Sequence, residues 1–212
     1  MNYQEHQNLA VDALIDLILT TQDEPTRWVG IQNLGEIGIG NDYAIQTLIE
    51  QLSIVRVPTR RIIAQTLTKI AVGNEQAIKS LANLARNNSE EKTRDAIAYT
   101  LGYIGKNNWD AVDSLIYLIH NSCDDYTRRV ALKSLGRIED CTQETINALV
   151  EAVRKTEDYY SCLATVSILE EIAVGNSEAI AKLTKIFLSE NFHRGNHHIR
   201  KLIAQTIALL DS

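Results

Sequence analysis

Proline is almost missing from this chain, with two in 212 residues, and ten glycines complete a small stock of turn formers. So little turn material excludes an all-β fold of many short strands. The Leu, Ile, Ala, Glu, Gln and Lys that fill the chain instead favour helix. Cysteine is as sparse: Cys123, Cys141 and Cys162 form an odd set without C-x-x-C spacing. That set speaks against a disulfide framework or a zinc knuckle and fits a reducing cytosol. There is no basic excess either. A net charge of −6 offers no general face for neutralising phosphate, so nucleic acid is not an expected partner. No stretch approaches a membrane span, and Met1-Asn2-Tyr3-Gln4-Glu5-His6 has neither the basic region nor the apolar core of a signal peptide. The expectation is a cytoplasmic protein with no membrane partner.

What the chain does have is 45% hydrophobic residues, enough for a sizeable core, arranged with a fixed period. Thr26-Arg27, Thr59-Arg60, Thr93-Arg94 and Thr127-Arg128 each open a helical segment; Ser161-Cys162 continues the series and Ile199-Arg200 ends it, with spacings of 33, 34, 34, 34 and 38. Eight residues beyond each opening stands Leu34, Leu67, Leu101, Leu135, Leu169 or Ile207. Three further on stands Ile37, Ile70, Ile104, Ile138, Ile172 or Leu210. That spacing marks one buried face of a helix, here called A.

A second helix, B, follows each of the first five with apolar pairs at Ile45/Leu48, Ile78/Leu81, Val112/Leu115, Ile146/Leu149 and Ile180/Leu183, and Val11/Leu14 fits the same register. The chain therefore reads B-(A-B)₅-A. This predicts an all-α α-α superhelix of five helical hairpins with a half-repeat at each end, one solenoid domain over residues 1–212, because each hairpin's apolar stripe is covered only by its neighbour. Gly40-Asn41, Gly73-Asn74 and Gly175-Asn176 pair a residue suited to a left-handed helix end with a side chain that caps the next helix; Asn108 and Thr142 keep the cap without the Gly. Asp23, Glu90, Asp124 and Asp158 precede each Thr/Ser by three, placing acids where helix dipoles favour them.

Segments such as "TTQDEPTRWVGIQNLGEIGIGNDYAIQTLIEQL" and "TRRIIAQTLTKIAVGNEQAIKSLANLA" resemble HEAT-like repeats of the phycobilisome-lyase type, notably the repeat regions of cyanobacterial NACHT-type regulators. The resemblance spans Leu9 to Leu210 through in-phase Thr-Arg, Leu-Gly-x-Ile and Gly-Asn-x-x-Ala-Ile motifs. It implies a protein-binding scaffold or adaptor without intrinsic catalysis. As an alternative it implies a phycobilin lyase or chromophore-handling subunit acting on a phycobiliprotein partner. No catalytic residue carries over. The chain departs from the regulators in lacking a nucleotide-binding domain, and from its own pattern at Cys162, Glu170 and Glu139-Asp140-Cys141.

No phosphate-binding, zinc-protease or nucleophile-elbow motif occurs, and Gly38-Ile39-Gly40 is more simply a turn. No cofactor and no metal site is expected. His193, His197 and His198 lie in the connection lengthened by four residues, and metal, solvated-loop and partner-contact readings all stand open for them. The series Arg27, Arg60, Arg94, Arg128 and Arg200 reads either as a ladder for acidic ligands or as partners of the loop acids.

Repeats in register permit an internal comparison. Tyr99 shares its position with Gln32, Gln65, Lys133 and Gln205; Tyr103 with Glu36, Lys69, Arg137 and Glu171; Trp109 with Asp42, Glu75, Gln143 and Ser177; Tyr117 with Asp16, Glu50, Asn83, Glu151 and Lys185. Aromatic residues at otherwise polar positions are of the type that dominates interfaces, so a partner-binding patch over residues 99 to 117 is one expectation; mutual packing to cover a local gap is the other. Trp28, among Arg61, Asp95, Arg129 and Lys201, marks a second candidate contact or an end cap. Residues 1–58 hold eight acids against Arg27 and Arg56, while 59–92 carry a net +3. A last helix with Ile199, Leu202, Ile203, Ile207 and Leu210 suggests an end-to-end homodimer.

Overall fold

The computed structural model describes residues 3–138, 142–155, 158–189 and 197–211. Within them lie twelve helices and no strand. They are α1 (Tyr3–Thr20), α2 (Glu24–Ile37), α3 (Asp42–Gln51), α4 (Val57–Ile70), α5 (Glu75–Asn87), α6 (Glu91–Ile104), α7 (Trp109–Asn121), α8 (Asp125–Ile138), α9 (Gln143–Lys155), α10 (Tyr159–Ile172), α11 (Ser177–Leu188) and α12 (His197–Leu210).

The even helices stack on one another in one layer and the odd helices in a second; across the layers each odd helix packs on the even helix that follows it. The two terminal half-repeats are thus held like the rest, α1 on α2 and α12 on α11. The predicted columns of Leu and Ile form the seam: Leu34, Leu67, Leu101, Leu135 and Leu169 are almost fully buried, and one hydrophobic cluster runs from Val11 to Leu210. At roughly 1.5–3 kcal/mol per fully buried aliphatic side chain, this seam is the chief stabilising element.

The turns between layers behave as their residue types require. Gly40, Gly73 and Gly175 have φ near +70°, which a Cβ would oppose, and their N–H groups donate to the last-turn carbonyls of Ile70, Ile104 and Leu210 at the end of the next even helix. Asn41, Asn74, Asn108 and Asn176 each accept from the backbone N–H three residues on. In the third repeat the left-handed residue is Asn107 (φ 59°). Asn is the side chain next best suited to that region.

One terminal expectation changes. The α12 stripe offered for self-association is used inside the chain: Ile199, Ile203 and Leu210 are buried and Leu202 and Ile207 half-buried against the core. The segments around Glu139-Asp140-Cys141 and His193 lie outside the described residues.

Candidate functional site

The aromatics of the third repeat divide between the layers. Tyr99 and Tyr103, one turn apart on α6, have ring centroids 4.9 Å apart at a tilt of 51°, and the Arg137 guanidinium of α8 stands 4.1 Å over the Tyr103 ring. Tyr99 is half-buried against the core, whereas Tyr103 is 42% exposed. Burial, with the neighbouring Tyr103, raises the Tyr99 phenol above its usual pKa, so the hydroxyl remains a neutral donor. Tyr117 lies in the other layer, on α7, half-buried with Arg86 of α5 5.4 Å over its ring; Arg86 also pairs with Asp113. Trp109 is the first residue of α7, at the turn, and 51% exposed. Tyr99 and Tyr103 thus project from an even helix and Tyr117 from an odd one, with Trp109 at the turn that joins them.

Trp28 is half-buried, and its indole N–H donates to Thr59 Oγ1 at 2.8 Å. The same position in α6 holds Asp95, which accepts from Thr127 Oγ1 at 2.6 Å. Both tie one even helix to the buried Thr that opens the next, which gives Trp28 a role in stacking.

Beside Tyr99 a groove of about 460 Å³ crosses α4, α6 and the start of α8. Ala64 and Ala96 keep its floor low, Tyr99 and Tyr126 supply ring faces, and Arg61 and Lys92 stand at its rim. Lys92 lies 5.0 Å over the Tyr126 ring and 3.2 Å from Asp95, whereas the exposed Arg61 has no ion pair among the described residues. The groove lining contains no Ser, Cys or His; its ionisable residues are Arg60, Arg61, Lys92, Asp95, Tyr99 and Tyr126. Tyr126 has no lone-aromatic signal of the kind Tyr99 has, since its column, Pro25, Pro58, Lys92, Tyr126 and Tyr160, is mixed.

The arginine series turns inward. Arg27 Nε donates to Ile18 O, Arg60 Nε to Leu52 O, Arg94 Nε to Asn88 O and Arg128 to Ser122 O, each closing the carbonyl end of the preceding odd helix. Arg200 does the same at Phe187 O from 3.2 Å. Loop and first-turn acids complete these sites, Glu24 for Arg27, Glu90 for Arg60, Glu91 for Arg94 and Asp125 for Arg128. The ladder is structural, with Arg60 and Arg94 buried.

A second concavity, about 530 Å³, opens between α7, α8, α9 and α10, lined by His120, Arg128, Lys155 and Asp158 among others. Burial and the Lys155 charge hold the His120 imidazole below its usual pKa, against the opposing pull of Glu151. Cys162 is buried, which together with the Asp158 charge pushes its thiol up to about 12, while Cys123 is exposed. His197 and His198 open α12, with His198 6.1 Å from the Tyr159 ring. Among the described residues no group of three or more His, Cys, Asp or Glu is disposed to hold a metal, and no helix is long and apolar enough to cross a membrane.

A family model described as HEAT repeats matches residues 11–102 and 112–195. No curated protein matches the chain. Eighteen chains of solved structures do. One, from work titled "Computational Design of Self-Assembling Cyclic Protein Homooligomers", is 14% identical, covers 97% of this chain and 94% of its own, and has a TM-score of 0.30.

Proposed function

Because the chain belongs to the HEAT-repeat family, we propose that it is a protein-binding scaffold whose docking surface is the groove across α4, α6 and α8. The occupant that fits is an extended segment of a partner protein carrying a carboxylate beside an aromatic or large aliphatic side chain. The observation that carries this reading is the pairing of an uncommitted cation with ring faces over a small-residue floor: Arg61 meets the carboxylate, and Tyr99 and Tyr126 flank the apolar side chain above Ala64 and Ala96. Tyr103, backed by Arg137, extends the surface toward the end of α6. Trp109 and Tyr117 lie outside it, and Trp28 serves the stacking of α2 on α4.

The +3 charge of residues 59–92 favours an acidic partner and quickens its encounter. Selection of displayed peptides on the immobilised chain tests the reading. Acidic sequences with an aromatic or aliphatic neighbour should be enriched on the unaltered chain and lost on Arg61→Glu; enrichment of the same sequences on both would refute it.

A second reading, handling of a bilin chromophore, is favoured by one observation. The groove volume falls within the range of about 300–1,000 Å³ usual for small-molecule sites, with Arg61 and Lys92 placed for carboxylates. A bilin titration followed by absorbance decides it: a spectral shift abolished by Arg61→Glu supports this reading, and an unperturbed spectrum removes it.

A further inference from the structure

Each internal repeat hides the residues that face its predecessor, and the first helix pair leaves the same positions open. Ala10 is exposed, yet its counterparts Ala44, Ala77, Ala111, Thr145 and Ala179 are at most 1% exposed. Asn33 is exposed, yet Thr66, Thr100, Ser134, Ile168 and Thr206 are all buried. Ala10, Ala13, Leu14, Leu17, Asn33 and Ile37 line a shallow groove of about 720 Å³ between α1 and α2. The far end shows the reverse: Ala204 is exposed where Ile31, Ala64, Ala98, Leu132 and Val166 are at most 3% exposed, and Ala208 and Leu209 are open beside it.

The repeats also fix how two such ends would meet. A Cβ on Gly35 would lie 3.3 Å from Thr66, one on Gly102 2.5 Å from Ser134 and one on Gly136 3.0 Å from Ile168. The column of Gly35, Thr68, Gly102, Gly136, Glu170 and Ala208 therefore faces forward onto the column of Asn33, Thr66, Thr100, Ser134, Ile168 and Thr206, where Glu170 accepts from Thr206 Oγ1 at 2.8 Å. Its unmatched forward member is Ala208, and the unmatched backward member is Asn33. Ala208 is small, as the close approaches at Gly35, Gly102 and Gly136 require of those members of the column.

Charge distinguishes between ways of joining ends. Residues 1–58 carry a net −6, with Asp12 and Asp16 exposed on α1, so this end repels its own copy. Residues 177–212 hold five bases and three acids, with Lys185 exposed on α11 and Lys201 on α12. We propose that the C-terminal end of one copy stacks on the N-terminal end of a second copy, Ala208 against Asn33, so that the solenoid continues head to tail. Such a heterologous contact propagates into chains or closes as a ring, unlike a symmetric dimer. It does not depend on the peptide-binding reading, which concerns a different face.

Sedimentation velocity on the full chain, from micromolar to near-millimolar concentration, tests this with two blocked variants, Ala13→Glu at one end and Ala204→Glu at the other. Both positions are exposed, so both variants should keep the cooperative melt of the unaltered chain. The unaltered chain should grow in mass beyond the dimer as concentration rises, more weakly at high salt, and each variant alone should stay monomeric. An equimolar mixture of the two should form dimers, because one open end of each kind remains. A monomer throughout the series, variants that still associate alone, or a mixture that stays monomeric would each overturn the proposal.

Discussion

The Arg60 guanidinium meets the Glu90 carboxylate with two parallel bonds of 2.9 Å, joining the start of α4 to the residue that caps α6, one repeat further on. The same guanidinium closes the Leu52 and Val55 carbonyls at the end of the preceding odd helix. Arg60 therefore fixes the angle between three helices, and the Glu90 carboxylate is held below its usual pKa by that bond.

Replacing the Arg should cost more than replacing the acid. Arg60→Met leaves the Val55 carbonyl without its donor and the Leu52 carbonyl with only the 3.4 Å bond from Thr93 Oγ1, and should lower stability by about 2–3 kcal/mol, read from urea unfolding. Glu90→Gln should cost less than about 1 kcal/mol, since the Glu90 side chain is 49% exposed. Because the folded pKa of Glu90 is depressed, its contribution is present above the ordinary value of 4.5 and lost as pH falls through the folded value. The difference between the unaltered chain and Glu90→Gln should accordingly shrink in acid.

His120 gives a second pH dependence, and at a milder pH. Burial and Lys155 lower its folded pKa, so below the unfolded value of 6.5 the unfolded chain binds the extra proton and stability falls as pH drops. His120→Gln should flatten the stability profile between pH 6.5 and the acid limit, measured by thermal melts across that window. An unchanged slope would show that the imidazole is not held neutral.

Gly102 faces the next repeat so closely that an added Cβ would lie 2.8 Å from the Ser134 Cα. Alanine is the better helix former by roughly 1 kcal/mol, but overpacking against backbone costs about 1–3 kcal/mol, so the steric term should prevail. Gly102→Ala should lower the urea midpoint without changing the denaturant slope.

Much of this was legible in the residues because it is local. The cap at Asn41 depends only on Gly40 before it and on the helix after it, and the Leu34 column only on spacing. The acid partners of Arg27 and Arg60 are one of the two readings the residues offer, whereas the helix-end carbonyls they also close, Ile18 and Leu52, are not marked by any residue type. The A and B helices of the repeat already separate Tyr99 from Tyr117, whereas the guanidinium over each of Tyr103 and Tyr117 comes from a neighbouring repeat and is not legible in the columns. Tyr126 shares its position with Pro25, Pro58, Lys92 and Tyr160, a mixed set from which no single residue stands out. The buried stripe of α12 was misassigned to a partner for a related reason: the hydrophobic face of a terminal helix is covered by its own predecessor, and the open face beyond it is small and mixed, with Ala204, Ala208 and Lys201.

The most direct test of the scaffold reading is the affinity of one enriched acidic-aromatic peptide, by fluorescence anisotropy, for two double variants beside the unaltered chain. Tyr99→Ala/Tyr103→Ala should weaken binding at least tenfold, as loss of a hot spot worth about 2 kcal/mol would. Trp109→Ala/Tyr117→Ala, outside the groove, should leave it unchanged. Equal affinity for all three proteins, or loss confined to the second variant, would contradict the assignment of the even-layer groove as the docking surface.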